Sequence, residues 1–313
     1  MINMIKVKNL HKTYKKGVKA VNGLNFKVKA GEIFGLLGPN GSGKTTTINA
    51  ILDLVDYETG EIILFDNKYK TKVEAKKHIG LITQEVGVFN ELTVRENIDY
   101  FCGLYINDEK LRAQYVEEAM DFVQIKDFAK FKPKKLSGGL LRRLHIACGI
   151  AHKPTLIFFD EPTVGIDPQS RNHILEQIKV LNKNGATIVY TSHYMEEIEM
   201  LCDYILIMDK GQVIAEGNYD ALIDQIDLAE YIEIEYKGEM PLKVVTEINE
   251  LPGILEVIHT KEKLVIKTSE DDKAFIKIIH ILENNNVDYS RANANKPSLN
   301  DVFLELTGKE LRD

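Results

Sequence analysis

Hydrophobic positions along the chain follow two spacings, the alternation of a strand and the three-to-four-residue repeat of a helix. Alternation and short apolar runs predict strands at 4–10, 21–28, 32–37, 79–83, 156–159 and 186–190. Helical spacing predicts helices at 44–54 and 169–182, each of which follows one of the apolar strands. Strands that alternate with helices in this way predict an α/β core with a parallel sheet.

The pattern changes after residue 222. Segments with strand, helix, strand, strand, helix and strand spacing follow at 231–236, 242–251, 254–259, 264–268, 272–284 and 287–290. This order is the βαββαβ arrangement of a small, ferredoxin-like α+β domain. We therefore predict two domains, 1–222 and 223–313, and we expect the second to regulate the first or to stabilise a dimer.

Composition narrows the class of protein. Of 313 residues, 44% are hydrophobic and 28% are charged, which is typical of a globular protein and excludes a disordered or collagenous one. The apolar runs are much shorter than the roughly 20 residues of a bilayer span, and the N-terminal stretch lacks the apolar segment of a signal peptide. We therefore expect a cytoplasmic protein that reaches any membrane through a partner.

Charge and cysteine content exclude further classes. The net charge of −7 argues against a dedicated nucleic-acid binder. The first thirty residues nevertheless hold eight lysines and no acid, which fits either a solvated strand face or a positive field beside an anionic ligand. The basic stretch 130–135, together with Arg142 and Arg143, is interpreted as a solvated face. Three scattered cysteines without CxxC spacing indicate inert thiols in a reducing compartment.

A glycine-rich turn joins the predicted strand 32–37 to the helix that begins near Lys44. It reads Gly-Pro-Asn-Gly-Ser-Gly-Lys-Thr over 38–45, which is the pattern of a phosphate-binding P-loop in its required strand–turn–helix context. Glycines let successive backbone N–H groups point inward, and the helix N-terminus adds partial positive charge at the same place. Lys44 can reach β- and γ-phosphates, and the Thr45 hydroxyl can ligate Mg²⁺.

Two other apolar strands end in polar residues. The strand 156–159 runs into Asp160 and Glu161, and the strand 186–190 runs through Thr191 and Ser192 to His193. Ligands bind at the carboxyl ends of parallel strands, so these side chains are expected near the P-loop. There Asp160 can hold Mg²⁺, Glu161 can polarise a water, and His193 can hydrogen-bond the γ-phosphate or that water.

Between these segments, Leu136-Ser137-Gly138-Gly139 opens a further helix. A serine and two glycines at a helix start can bind an anion, although such a run is commonly a simple cap. In this order and spacing the segments resemble those of the ATP-binding cassette (ABC) ATPases over residues 4–220. Gly38–Thr45 is similar to the Walker A, Leu156–Glu161 to the Walker B, and Leu136–Gly139 to the signature motif.

The resemblance assigns roles to individual residues. It implies catalytic roles for Lys44, Gln84, Glu161 and His193, and Mg²⁺ ligation by Thr45, Gln84 and Asp160. It implies nucleotide contacts from Tyr14, Gly38, Pro39, Asn40, Gly41, Ser42, Gly43, Lys44, Thr45, Thr46, Ser137, Gly138, Gly139 and Asp167. One position departs from the family, because Leu140 follows the signature glycines where glutamine is usual. The implied fold is a RecA-like P-loop NTPase core with an antiparallel β subdomain and a helical subdomain.

Partners also follow from the resemblance. In this family the signature of one subunit closes on the ATP of another, so this chain needs a second copy or a paralogue. The segment after Gln84 leads to Thr93 and Glu96, which have capping-box spacing and predict a helix start. The family uses that helical region to receive a membrane permease, although a helix that only packs on the sheet has the same pattern. The ending Ser-Leu-Asn-Asp-Val-Phe over 298–303 is similar to daunorubicin-resistance exporters.

Two other functions stay open at the level of sequence. One is a soluble ABC ATPase that acts on nucleic acid or ribosomes, although the second cassette or long insertion usual in such proteins is not seen. The other is a regulator that binds ATP without hydrolysing it, against which the set of Lys44, Asp160, Glu161 and His193 argues. The leading hypothesis is an ATP-hydrolysing subunit, with ATP and Mg²⁺ as its ligands, that drives export of drugs, antibiotics or lipid-like cargo.

Overall fold

The computed structural model describes residues 2–15, 17–226, 230–269 and 274–308. The chain forms two compact units, the first ending at Asn218 and the second beginning at Tyr219. This division falls four residues before the predicted boundary at Leu222. The short helix over 219–223 belongs to the second unit because it packs against the last helix of that unit.

The first unit holds nine strands in the described part of the chain. They are β1 (Asn3–Tyr14), β2 (Val18–Lys29), β3 (Ile33–Leu37), β4 (Thr59–Leu64), β5 (Ile79–Ile82), β6 (Leu156–Asp160), β7 (Thr187–Ser192), β8 (Tyr204–Asp209) and β9 (Gln212–Gly217). Its described helices are α1 (Lys44–Ile51), α2 (Lys72–Lys76), α3 (Val94–Gly103), α4 (Glu109–Phe122), α5 (Gly138–Ile150), α6 (Pro168–Lys183) and α7 (Met195–Leu201).

Six of these strands form the central sheet, in the order β5-β6-β7-β3-β8-β9. The first five are parallel, and β9 pairs antiparallel with β8 at the edge. Every residue of β3, β6 and β7 is buried, as expected for strands covered on both faces. The carboxyl ends of β3, β6 and β7 therefore meet at one edge of the sheet, beside the first turn of α1.

A second sheet and a helical layer surround this core. Strands β2, β1 and β4 form an antiparallel sheet, and Phe26 of β2 stacks on Phe34 of β3 with ring centroids 5.3 Å apart. Helices α3, α4 and α5 contact one another as a separate layer. The capping box predicted at the start of α3 is confirmed, because the Thr93 hydroxyl accepts from the Glu96 amide and the Glu96 carboxylate accepts from the Thr93 amide.

The second unit begins with α8 (Tyr219–Ile223) and is built around a four-stranded antiparallel sheet. Its elements are β10 (Glu230–Tyr236), α9 (Leu242–Asn249), β11 (Ile254–His259), β12 (Lys263–Thr268), α10 (Ala274–Asn284), β13 (Tyr289–Asn295) and α11 (Leu299–Thr307). The strand order is β11-β12-β10-β13. Buried apolar side chains of β10 and β12 pack with those of α9 and α10 in a core separate from that of the first unit.

Some boundaries differ from the predicted ones. The helix after the P-loop ends at Ile51 instead of residue 54, because Asp53 takes a left-handed φ of 52° and the Leu54 amide bonds back to the Asn49 carbonyl. The last strand occupies 289–295 instead of 287–290. It lies at the sheet edge, where a polar sequence without clear alternation is tolerated. Residues 272 and 273 of the predicted helix 272–284 lie outside the described residues.

Within the described ranges, each helix is too short or too polar to cross a bilayer.

Candidate functional site

The P-loop is held in one conformation by close backbone contacts. Gly41 and Gly43 have φ of 82° and 109°, a region that side-chain-bearing residues rarely adopt. A Cβ on Gly43 would lie 2.2 Å from the Ala20 carbonyl oxygen, and one on Gly38 would lie 2.3 Å from the Met208 carbonyl oxygen. Glycine at these positions therefore lets the loop wrap tightly between β3 and the first turn of α1.

Lys44, Glu161 and His193 form a buried cluster at the carboxyl edge of the sheet. Lys44 Nζ lies 3.1 Å from Glu161 Oε1, and His193 Nδ1 lies 3.3 Å from Glu161 Oε2. Lys44 is 4% exposed and Glu161 5%, so both charges are largely removed from water. Nζ of Lys44 also donates to the carbonyls of Gly38 at 2.7 Å and Pro39 at 3.2 Å. These two hydrogen bonds hold the ammonium group against the backbone of the loop.

The backbone of Glu161 is itself unusual. Its φ is 47°, in the left-handed region that costs a residue with a side chain about 1–3 kcal/mol. The surrounding structure holds it there, because the Glu161 amide donates to the Thr191 hydroxyl at 3.0 Å and to the Thr191 carbonyl at 3.2 Å. Strain at the end of β6 therefore turns the carboxylate toward Lys44 and His193.

Asp160 and Thr45 supply oxygen atoms beside this cluster. Burial raises the pKa of the Asp160 carboxyl, and hydrogen bonds from the Thr191 and Thr45 hydroxyls partly offset that rise. The Thr191 hydroxyl donates to Asp160 Oδ1 at 2.6 Å. Carboxylate and hydroxyl oxygens are the hard donors that Mg²⁺ prefers, so Thr45 and Asp160 fit a magnesium site.

Tyr14 lies at the end of β1, near the first turn of α1. Its hydroxyl is 3.5 Å from the Thr46 hydroxyl, and the side chain is 41% exposed. The Lys12 ammonium lies 5.1 Å from the centroid of the ring. An exposed aromatic face beside a phosphate loop is suited to stacking on a base.

The signature segment has a different environment. Ser137 caps α5 by accepting a hydrogen bond from the Leu140 amide at 3.3 Å, and Ser137 and Gly138 are exposed. Gly139 is buried, and a Cβ there would lie 2.2 Å from Ser170 Oγ in the first turn of α6. Asp167 caps that helix by accepting from the Ser170 amide at 2.9 Å. Gly139 is therefore required by packing within the chain, whereas Gly138 is not.

Gln84 is exposed in the loop after β5, and its backbone is held by an unexpected residue. Arg142 of α5 donates to the Thr83 carbonyl at 2.8 Å and to the Gln84 carbonyl at 2.7 Å. Arg142 is 4% exposed, so its assignment to a solvated basic face was wrong. Both carbonyls lie just after the end of β5, and the guanidinium supplies a hydrogen-bond donor to each of them.

Sequence reasoning did not predict the roles of Thr191 and Arg142 in holding other residues of the site in place. Their types and positions carry no distinctive pattern, since a strand threonine and a helix arginine are common. Only the β6–β7 pairing that sets Asp160 opposite Thr191 brings the hydroxyl to Asp160 and Glu161. A glycine-rich loop before α1, a lysine beneath it and two acids at the end of the neighbouring strand define a P-loop nucleoside triphosphatase.

Comparisons with known proteins identify the family. A family model described as ABC transporter matches residues 21–164. The chain is 39% identical to the linearmycin resistance ATP-binding protein LnrL of Bacillus subtilis (strain 168), covering 99% of this chain and 100% of that protein. It is 34% identical to the Nod factor export ATP-binding protein I of Rhizobium sp. (strain N33), with 93% of each covered.

A solved structure supports the same assignment. The dimeric post-hydrolysis structure of the ATP-binding cassette MJ0796, bound to ADP and Pi, matches with a TM-score of 0.61 and 29% identity, covering 69% of this chain and 98% of that chain. The chain therefore belongs to the ATP-binding proteins of ABC transporters. The predictions of an ABC-type P-loop fold and of an ATPase are confirmed.

Proposed function

We propose that this chain is the ATP-hydrolysing motor subunit of an ABC exporter, pairing with a second cassette and driving a separate membrane permease. The buried cluster of Lys44, Glu161 and His193 carries the hydrolytic part of this proposal. Burying the charges of Lys44 and Glu161 beside a phosphate loop costs desolvation free energy, and charged groups held in this way concentrate at functional sites. A regulator that merely binds nucleotide has no use for Glu161.

Triphosphate binding rests on the loop and on Lys44. The amides of 38–45 and the N-terminus of α1 present partial positive charge to the β- and γ-phosphates, and Lys44 adds a full charge. Because Lys44 is already held by two loop carbonyls, little side-chain entropy is lost on binding. The remaining contacts assigned to Asn40, Ser42, Thr45 and Thr46 follow from their places along the same loop and first turn.

Hydrolysis needs a proton acceptor and a group that holds the γ-phosphate. We assign the first role to Glu161, whose carboxylate takes a proton from the attacking water, and the second to His193. Thr45 and Asp160, with Gln84 entering from its loop, would hold Mg²⁺. Bound there, Mg²⁺ neutralises phosphate charge. The backbone of Gln84 is held by Arg142, which fixes the start of the loop from which the Gln84 side chain would reach the metal.

Assembly into a dimer follows from the exposed signature. Ser137 and Gly138 face outward at the N-terminus of α5, where backbone amides point at an incoming anion. Asp167 lies beside Gly139 at the start of the neighbouring helix. We infer that these residues complete the ATP site of a second copy or a paralogous cassette, with two nucleotides in the interface. Hydrolysis removes the bridging γ-phosphate and the pair then opens.

An exposed apolar surface is formed by Phe89, Tyr100, Leu104 and Tyr105, which are 39–61% exposed. Phe89 packs edge-on against Tyr100, with centroids 4.9 Å apart. The buried Asn97 side chain fixes the loop by accepting from the Phe89 amide and donating to the Phe89 carbonyl. This rigid apolar surface, beside a groove of about 320 Å³, suits a short amphipathic helix. We propose a cytoplasmic helix of the permease as its occupant.

Substitution of Tyr100 and Leu104 by aspartate is expected to separate the subunit from its permease. The wild-type chain, purified from detergent-solubilised native membranes, should carry an integral protein with several apolar spans that raises its ATP turnover after reconstitution in vesicles. The doubly substituted chain should lose both the partner and the stimulation, while its own basal turnover persists. Val180→Asp serves as the control, since Val180 is 42% exposed and lies on α6, which contributes no residue to this apolar surface. Equal stimulation of the doubly substituted chain would contradict this assignment.

Export as the direction of transport is supported by the relatives and by the C-terminal tail. The names of two relatives refer to linearmycin resistance and to Nod factor export. In the tail, Ser298 and Asp301 form a capping box at the start of α11, in the segment that resembles daunorubicin-resistance exporters. We infer a drug, antibiotic or lipid-like cargo, with the subunit held at the cytoplasmic membrane face by its permease. We expect no nucleic-acid partner.

We propose that the first unit, predicted as 1–222, is the ATPase domain, and that the second unit, predicted as 223–313, is a ferredoxin-like regulatory or dimer-stabilising domain.

Removal of the Tyr14 ring is expected to weaken ATP binding by about tenfold, because stacking of a base on an aromatic side chain contributes about 1–3 kcal/mol. Tyr14→Ala tests the ring, and Tyr14→Phe is the matched control that keeps the ring but loses the hydroxyl near Thr46. Calorimetric titration with ATP should give a weaker Kd for alanine and an unchanged Kd for phenylalanine. Equal affinities in all three proteins would place the adenine elsewhere.

A further inference from the structure

Glu197, on α7, is a buried carboxylate that takes no part in the site described above. It is 1% exposed, three hydroxyl groups donate to it, and an arginine forms an ion pair with it. Oε1 accepts from the Thr163 hydroxyl at 2.7 Å and faces Arg171 Nε at 2.6 Å. Oε2 accepts from the Tyr190 hydroxyl at 2.7 Å and from the Ser192 hydroxyl at 2.8 Å. Each oxygen of the buried carboxylate therefore has two polar partners, hydroxyl groups or a guanidinium.

The donors come from three segments that each hold a residue of the ATPase site. Thr163 lies two residues after Glu161, in the turn that follows β6. Ser192 ends β7 and directly precedes His193. Arg171 belongs to the first turns of α6, whose N-cap is Asp167. One carboxylate therefore connects the residue assigned as base, the residue assigned to the γ-phosphate and the helix that faces a second cassette.

Arg171 extends the connection beyond His193. Its guanidinium lies 4.7 Å from the centroid of the Tyr194 ring, and a terminal nitrogen lies 3.6 Å from Glu196. The His193 and Tyr194 rings are in turn 4.1 Å apart. A shift of α6 would therefore move Arg171 against both the carboxylate of Glu197 and the segment that carries His193.

We propose that Glu197 is a positioning residue that sets the geometry between Glu161 and His193 and ties it to the position of α6. This inference rests on the proposed hydrolytic function. Stability alone does not account for the arrangement, because a buried ion pair can often be replaced by apolar side chains without loss. What such a pair provides is orientation, and a displacement of about 1 Å at a reacting centre can lower a rate about 100-fold.

Glu197→Gln tests this role with little change in shape. The amide nitrogen cannot accept, so the two donors on that side lose their acceptor and the segments can move apart. We expect kcat for Mg-ATP to fall at least about fivefold, while the Kd for ATP changes less than about threefold, since the P-loop and Lys44 are untouched. Turnover and calorimetric titration, both well below the unfolding temperature, measure the two quantities on the full chain.

The control is Gln177→Leu. Gln177 lies on α6, is 6% exposed and donates to the Phe122 carbonyl at 2.6 Å, so it is a buried polar side chain of the same helix outside this network. Its loss should leave kcat unchanged.

If Glu197→Gln does not fold, Glu197→Asp is measured by the same criteria, because the shorter side chain keeps the charge but cannot reach all four partners. A kcat within fivefold of wild type, or a parallel loss of kcat and ATP binding, overturns the proposal. Absence of turnover in the wild-type chain would instead refute the proposed function.

Discussion

Glu161→Gln is expected to bind ATP with near wild-type affinity and to hydrolyse it about 10²–10⁴-fold more slowly, the range of a general base. Glutamine keeps the shape of the Glu161 side chain, whose carboxylate lies 3.1 Å from the Lys44 ammonium and 3.3 Å from the His193 ring. It cannot accept the proton of the attacking water. The phosphate contacts of Lys44 and the loop do not depend on that proton, which is why binding persists.

Glu32→Gln is a suitable control for this substitution. Glu32 lies just before β3, at the opposite end of the sheet from the site, and accepts from the Lys29 amide. Its replacement removes the same charge without touching the nucleotide, so turnover should be unchanged. Single-turnover hydrolysis of Mg-ATP, together with an equilibrium Kd, separates chemistry from binding. If Glu161→Gln turns over at the wild-type rate, Glu161 is not the base.

Gly138→Asp is expected to fold as well as wild type and to lose at least about 100-fold in turnover. Among the residues that the structure describes, none has an atom within 4 Å of a Cβ built on Gly138, which is the first residue of α5. A carboxylate in the first turn of a helix stabilises it by about 0.3–1 kcal/mol, so no loss of stability is expected. The loss of activity would come from the second cassette, where the new charge would face the phosphates of its ATP.

Two further variants serve as controls for Gly138→Asp. Lys110→Gln makes the same change of net charge in the exposed first turn of α4 and should retain full turnover. Gly139→Ala should instead unfold at lower temperature, because its Cβ would lie 2.2 Å from Ser170 Oγ. Thermal unfolding and steady-state turnover measure both effects. Full activity in Gly138→Asp would mean that the signature does not meet nucleotide.

Much of the site could be predicted because its elements are local in sequence. The P-loop, the two acids after 156–159 and the capping box at Thr93 are each read within a few residues, and the structure places them on the elements expected. Parallel pairing then brings the strand ends together, so separate motifs meet at one edge of the sheet.

The groups that organise the site could not be predicted in this way. Arg142, Arg171 and Glu197 are charged residues on helices, and such residues usually face solvent. Here tertiary packing turns them inward, onto carbonyls at the end of β5 or onto one another. Arg142 lies 58 and 59 residues from the two carbonyls it contacts, and Arg171 lies 26 residues from Glu197, so no local pattern distinguishes these residues from a solvated helix face.

We propose that two cassettes enclose ATP between them, each completing the pocket of the other. Light scattering of Glu161→Gln, with and without saturating Mg-ATP, tests it directly, since slow hydrolysis preserves any nucleotide-dependent pair. We expect a mass near 35.5 kDa without nucleotide and about twice that with it, and a monomer in both conditions once Gly138→Asp is added. A Glu161→Gln chain that binds Mg-ATP and stays monomeric would show that ATP does not join two cassettes.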